Sequence, residues 1–324
     1  MNRLKTSTTT TLNHSSLPPM QKQSILKRFF KQWDLQMMVI PGLLFIFIFN
    51  YIPMYGVLMG FQDYNIFVGM RGSQWIGFEH FHTFFTDPRF WEIMRNTIVI
   101  SGLKILIIFP APIILALMLN EVKNMMFKRT IQTITYLPHF LSWVIVAGFG
   151  MSMLATDNGS VNILLEKVGF IDEPIRFLGL PEYFWGIIVS VNLWKSIGFA
   201  SIVYLAAIAG VDQQMYEAAA LDGASKFKQI YLITLPSIMP IIIIFFILEI
   251  GNLLNAGFED LLLLGNNPAL RSVSDVLDTY VYRVGISNSL YSYATAIGLF
   301  KAVISVGLLT LANLIARRTG NSLW

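Results

Sequence analysis

Residues 236–257 read PSIMPIIIIFFILEIGNLLNAG, and this stretch decides what kind of fold to expect. From Ile241 to Leu248 eight consecutive side chains are large and apolar, and the single charge in the run is Glu249. A helix on the surface of a soluble domain carries apolar residues on one stripe only, whereas a helix in a bilayer core of roughly 30 Å needs about 20 apolar residues all round. Working outward, five more runs of this kind lie near 36–59, 96–120, 131–154, 184–210 and 291–316. Pro41, Pro53, Pro110, Pro112 and Pro240 would break a soluble helix, but a bilayer bundle tolerates them as kinks. The 324 residues are 55% hydrophobic and 13% charged, about half the roughly 25% charge of a soluble domain. That excludes a water-soluble enzyme and a disordered chain. Zero cysteines exclude a disulfide scaffold, thiolate metal sites and a cysteine nucleophile. The expectation is an all-α integral membrane domain of six spans over 36–316. A basic tail, 1–35, precedes it and a short tail, 317–324, follows.

Charge in the loops sets the orientation. With the N-terminus inside, the cytoplasmic segments 1–35, 121–130, 211–235 and 317–324 hold 13 Lys and Arg against 5 acidic residues. The outer segments 60–95, 155–183 and 258–290 hold 7 against 13. Both termini are therefore expected in the cytoplasm, with the protein multi-pass in a plasma membrane. The N-terminal residues do not resemble a cleavable signal, because no short apolar core with a small-residue cleavage site follows them. Residues 21–33, QKQSILKRFFKQW, mix basic and aromatic side chains as a helix lying on anionic lipid does. The first outer loop is rich in Phe and Trp, which suits interfacial anchors and a docking surface.

One inner segment departs from ordinary topology. Residues 211–235, VDQQMYEAAALDGASKFKQIYLITL, are too long for a tight turn and too helix-prone for a linker. Tyr216 to Asp222 are good helix formers and Gly223 is a natural stop, so the spacing predicts a short helix there. A second short helix is expected from Ala224 to Ile233, ending before Leu235-Pro236. Small side chains permit close approach to a partner, and Glu217 offers a charge to a basic groove.

Glu217-Ala218-Ala219, Gly223, Ile233 and Leu235-Pro236 at this spacing resemble the EAA signature of bacterial ABC importer permeases. Further stretches, WKSIGFASIVYLAAIAGVD (194–212), GFEDLLLLGNN (257–267), SDVLDTYVYRVG (274–285) and AIGLF (296–300), resemble the binding-protein-dependent carbohydrate-uptake permeases (MalFG-like), particularly the polysaccharide-type LplB-like subgroup. The resemblance implies a type I ABC importer transmembrane domain whose 211–235 loop is a coupling helix seated on an ATP-binding subunit. It also implies a second permease, normally a different chain, two ATP-binding subunits, an extracellular solute-binding protein and an oligosaccharide as cargo. ATP and Mg would belong to the partners. This chain has no phosphate-cradling glycine loop: its Lys-Ser and Lys-Thr pairs, Lys195-Ser196 and Lys5-Thr6, lack the preceding glycines. The chain itself is thus expected to be no enzyme, to hold no cofactor and to bind no nucleic acid. The rivals are an ion-coupled secondary sugar transporter, which needs no ATPase, and a membrane enzyme acting on lipid-linked sugar, which needs an acidic cluster that does not stand out.

Four charges remain inside spans: Lys104, Lys195, Glu249 and Lys301. Each costs roughly 2.5–3.5 kcal/mol at mid-bilayer, so each should face protein or water. Counted along their helices, all four lie roughly 12–17 Å below the outer surface. Glu249 pairing with one lysine to fasten helices is one reading. The other is a sugar path with net charge +2 that favours acidic oligosaccharides, with Asn192, Trp194, Asn252 and Asn255 supplying hydrogen bonds and a stacking face. The histidines His14, His80, His82 and His139 form no ligand set, so no metal is expected. Asp275 and Asp278 are expected to hydrogen-bond within their loop rather than to catalyse.

Overall fold

The computed structural model describes residues 32–318, 320 and 322–323. The tail before it, including the basic-aromatic segment as far as residue 31, lies outside the described residues. In chain order the main elements are α1 (Trp33–Phe61), strands β1 (Gln62–Asp63) and β2 (Gln74–Trp75), α2 (Glu79–Thr86), α3 (Phe90–Glu121), α4 (Met125–Phe140) and α5 (Trp143–Met153). They continue with α6 (Ser160–Val168), α7 (Pro181–Ala209), α8 (Gln213–Leu221), α9 (Lys226–Gly251), α10 (Glu259–Leu264), α11 (Leu277–Tyr282) and α12 (Tyr291–Arg317). Among the described residues five helices, α1, α3, α7, α9 and α12, are 26 to 32 residues long and apolar enough to cross a membrane.

The expected third span, 131–154, is not one straight helix. α4 and α5 meet at an angle of 104°. Pro138 ends the regular turn of α4, and the Ser142 hydroxyl starts α5 by accepting the Ile145 N–H. The break is held from outside by α7, as described below.

Three of the prolines in the spans are met by widened turns, whereas Pro41 and Pro240 sit within regular α-helix. A π-turn covers Phe47–Tyr51, another Lys104–Ile108 and a third Ile230–Thr234. Each lies just ahead of a proline: Pro53, Pro110 and Pro236. A proline ring collides with the carbonyl four residues earlier, and that carbonyl sits within the π-turn in all three cases. Shifting the hydrogen bond to five residues, as from the Phe109 N–H to the Lys104 carbonyl (3.1 Å), opens the room the ring needs.

The chain divides after Tyr55 into two compact units. The first contains most of α1, an apolar helix carrying Pro41 and Pro53. In the second, α7 is the central helix, packed by α3, α4 and α9. Ile113 and Ala116 of α3, Tyr204 and Ile208 of α7 and Ile238 of α9 form one apolar cluster. A second joins Ile100, Ala147, Phe184 and Ile188 to Leu261 and Leu264 of α10. A third gathers Phe84 of α2, Ile93, Tyr280 of α11, Tyr293 and Ile297. The aromatic-rich outer segment is therefore partly core. Phe84 packs edge-on to Phe90 and Phe300 at 5.0 and 5.6 Å, while Phe67, Phe78 and Trp91 stay exposed.

Candidate coupling loop and polar sites of the spans

α8 begins where the Asp212 carboxylate accepts the Gln214 N–H at 2.9 Å, and it ends at Gly223. Gly223 has φ +75°, the left-handed conformation that favours glycine. Its N–H reaches the Ala220 carbonyl (3.1 Å) and the Ala224 N–H reaches the Ala219 carbonyl (2.9 Å), the paired bonds of a Schellman stop. A side chain at 223 would meet nothing within 4 Å, so backbone conformation rather than space selects glycine. The Ser225 hydroxyl then starts α9 by accepting the Lys228 N–H.

The second short helix expected over 224–233 does not stop before Leu235-Pro236. It is the first turns of α9 and continues to Gly251, because the π-turn 230–234 absorbs Pro236. One contact ties α8 to this helix and a second closes the turn between them, and the sequence did not point to either. The Tyr216 hydroxyl lies 2.9 Å from the Thr234 hydroxyl, and Thr234 is buried. The Gln229 amide, also buried, donates to the Ala224 carbonyl at 3.2 Å. Glu217 and Ala218 are exposed and Ala219 half-buried. Leu221 and Phe227, on either side of the turn, are 90% and 80% exposed. Ile233 and Leu235 are half-buried and Pro236 exposed, at the root of the loop.

The three lysines of the spans have partners that come from outside their own helices. Lys104 donates to the Asp260 carboxylate (2.9 Å) and to the Ala256 carbonyl (2.6 Å), and Asn192 donates to the same carboxylate at 2.8 Å. Lys301 pairs with Asp278. Lys195 is 8% exposed and spends its three N–H donors on the carbonyls of Pro138, His139 and Leu141. All three lie where α4 breaks, the Pro138 carbonyl also taking the Leu141 N–H at 3.2 Å, and a cation at a helix C-terminus is favourable. Beside it Gly198 lets α7 touch α4, His139 stacks on Phe199 at 3.9 Å, and the ammonium lies 5.3 Å from the Trp143 ring centre.

Two expectations are corrected by these contacts. Among the described residues Glu249 forms no ion pair with a lysine; it lines a cavity of only about 20 Å³ with Ser101, Lys104, Asn252 and Asn255. Nor is there an excess of +2 in the spans, since Asp260 and Asp278 fold in from the segment between α9 and α12 to meet two of the lysines and backbone carbonyls occupy the third. Trp194 turns away from this polar group. It stacks on Phe149 at 6.1 Å and lines an apolar cavity of about 670 Å³ between α5 and α7.

A family model described as binding-protein-dependent transport system inner membrane component matches residues 108–321. This chain belongs to that family. Its members are transport permeases and not enzymes. LplB of Bacillus subtilis (strain 168) is 46% identical to this permease over 284 residues, covering 88% of each chain. The polygalacturonan/rhamnogalacturonan transport system permease protein YteP of the same organism is 42% identical over 300 residues, covering 93% of this permease and 92% of that one. A chain of a bacterial ABC transporter involved in the import of the acidic polysaccharide alginate superposes with a TM-score of 0.84 at 41% identity, over 91% of this permease and 98% of that chain. The fold of this permease is therefore the type I ABC importer transmembrane fold, and the protein spans a membrane several times.

A polar lock joins the segment ahead of α3 to α11 and α12. Asp87 accepts the Tyr280 hydroxyl at 2.7 Å, and Tyr280 contacts the Tyr293 hydroxyl at 3.2 Å. The guanidinium groups of Arg89 and Arg283 lie 5.1 and 5.4 Å from the Tyr280 ring centre. Burial pushes the Asp87 carboxyl up. The Tyr280 hydroxyl, the Arg89 N–H and the Arg89 charge outweigh that and hold it below the usual carboxylate range. Burial, then the bonds to Tyr293 and Asp87, push the Tyr280 hydroxyl well above its usual value, so it stays a donor. Asp275 pairs with Arg283 and accepts the Thr279 hydroxyl at 3.0 Å, bonds within the segment as expected. Asp278 reaches out of it to Lys301.

Proposed function

We propose that this permease moves an acidic oligosaccharide inward across a bacterial plasma membrane, driven by ATP hydrolysed in two separate subunits. A second, different permease chain and an extracellular solute-binding protein complete the importer, with Mg and ATP held by the motor subunits and both termini of this chain in the cytoplasm. The observation that carries the reading is the coupling loop. A capped helix with a rigid glycine stop presents Glu217, Leu221 and Phe227 on the side where the Lys and Arg excess lies.

Force applied to α8 has a defined route. The Tyr216–Thr234 contact fastens α8 to the root of α9, the Gln229–Ala224 bond closes the turn between them, and α9 runs on to Glu249. Closure of the motor dimer pulls on α8, α9 moves as a lever, and the polar cavity at Glu249, Asn252 and Asn255 is re-formed on the other side of the cycle. Its carboxylate, two amides and unpartnered buried Ser101 hydroxyl suit sugar hydroxyls once the cycle widens a space that now measures about 20 Å³. Lys195, Asn192 and Trp194 serve packing, and Lys301 serves its pair with Asp278.

The cargo class follows the relatives. One is named for polygalacturonan and rhamnogalacturonan transport, and the transporter of the alginate structures was also solved with an alginate pentasaccharide-bound periplasmic protein. The test is uptake of trigalacturonate by proteoliposomes holding both permeases, the motor subunits and the binding protein. Uptake is expected to need lumenal ATP and to survive dissipation of proton and sodium gradients. Uptake that continues without the motor subunits and collapses with an ionophore establishes the ion-coupled alternative instead.

A further inference from the structure

The segment between α10 and α12 folds around a cavity of about 470 Å³, within the usual range for a small-molecule site. Its lining is polar, unlike that of the two larger cavities, which are apolar. Asp275 is neutralised there by Arg283 and by the Thr279 hydroxyl. Arg271 also lines the cavity, and among the described residues no carboxylate lies within ion-pair distance of it. The cavity thus carries one uncompensated positive charge. It also holds the Asn266 amide, the Ser287 hydroxyl and the Tyr282 ring, which packs edge-on against Phe258 at 5.1 Å and keeps 39% of its surface open.

We infer that this cavity is a binding subsite for one uronate residue of an acidic saccharide, with Arg271 taking the carboxylate and Tyr282 the apolar face of the sugar ring. A guanidinium matches a carboxylate with two parallel hydrogen bonds, which a neutral hydroxymethyl group in the same place does not offer. Asn266 and Ser287 supply the neutral donors and acceptors that sugar hydroxyls need. The Arg283–Asp275 pair and the buried Thr279 hold the walls, so the subsite exists before a ligand arrives. Positive charge for acidic cargo then resides at the mouth and not in the spans, where every lysine is matched. The inference rests on the proposed function only for placing this segment on the outer side and for the class of saccharide.

The full chain in lipid nanodiscs is titrated with trigalacturonate and with neutral galactotriose, alongside Arg271→Gln and Arg271→Lys. The wild type is expected to favour the acidic trisaccharide by about tenfold, the scale of one charge-assisted contact, with the preference shrinking as salt rises. Arg271→Gln is expected to lose the preference while binding of galactotriose stays level, and Arg271→Lys to restore part of it. Equal binding of both sugars by the wild type, or a preference that survives Arg271→Gln, overturns the subsite. So does weakened docking of the unliganded binding protein by Arg271→Gln with an unchanged sugar titration, because the arginine then serves that protein and not the sugar. Since the titration needs neither ATP nor a motor subunit, a failure of ATP-driven uptake leaves its outcome untouched, and the two readings fail separately.

Discussion

Gly223→Pro is expected to reduce ATP-driven uptake by about two orders of magnitude while leaving membrane insertion and yield near the wild-type level. Proline locks φ near −65°, and the native φ is +75°, so the turn between α8 and α9 cannot form. The variant also lacks the N–H that reaches the Ala220 carbonyl. Gly223→Ala is the graded control. Its methyl group meets nothing within 4 Å, so its only cost is the left-handed conformation, roughly 1–2 kcal/mol, and a loss near tenfold is expected. Uptake by reconstituted importer, normalised to the amount of assembled complex, separates the three proteins. Wild-type uptake by Gly223→Pro is incompatible with a rigid coupling turn.

Gly198→Ala is expected to destabilise the folded permease by at least about 3 kcal/mol, against a small gain or none for Gly186→Ala in the same helix. A Cβ at Gly198 would stand 2.1 Å from the Thr135 carbonyl oxygen and 2.3 Å from its carbon, both backbone atoms that cannot swing aside. The same atom at Gly186 meets nothing within 4 Å. Because Gly198 lies one turn from Lys195, separation of α7 from α4 also withdraws the ammonium from the carbonyls of Pro138, His139 and Leu141. Thermal unfolding in detergent, read on both variants, checks the contrast. Equal midpoints for the two would mean that the α4–α7 contact adjusts without cost.

What the sequence made legible and what it hid follow from the range of each interaction. Span existence is a composition signal, local to about 20 residues, and five helices lie where runs of apolar residues pointed. The helix stop at Gly223 is equally local. The break in the third span is not. Pro138 and Ser142 are ordinary residues for a membrane helix, and the cation that gathers the carbonyls at the break, Lys195, comes more than fifty residues later. The charge count failed for the same reason. Lys104 meets Asp260 across 156 residues, and a tally by segment puts the acid in a loop and the base in a span. The continuity of α9 was hidden because Leu235-Pro236 reads as a helix boundary, whereas a π-turn one residue earlier accommodates the ring. In the coupling loop the alanines, Glu217 and Gly223 were legible as a motif. The Tyr216–Thr234 strut, which makes the loop and its span one lever, needed the fold.

The seat of α8 on a motor subunit is open to a direct measurement, made simple by a chain without cysteines. Leu221→Cys places a single thiol on the most exposed large apolar side chain of the foot, and a short bifunctional maleimide reagent reports what lies beside it. In the assembled importer the adduct should form with the ATP-binding subunit, change in yield when ATP closes the motor dimer, and disappear in the Gly223→Pro background. An adduct with lipid-facing or extracellular partners alone, or none with the ATP-binding subunit in any nucleotide state, would mean that this loop does not carry the drive for transport.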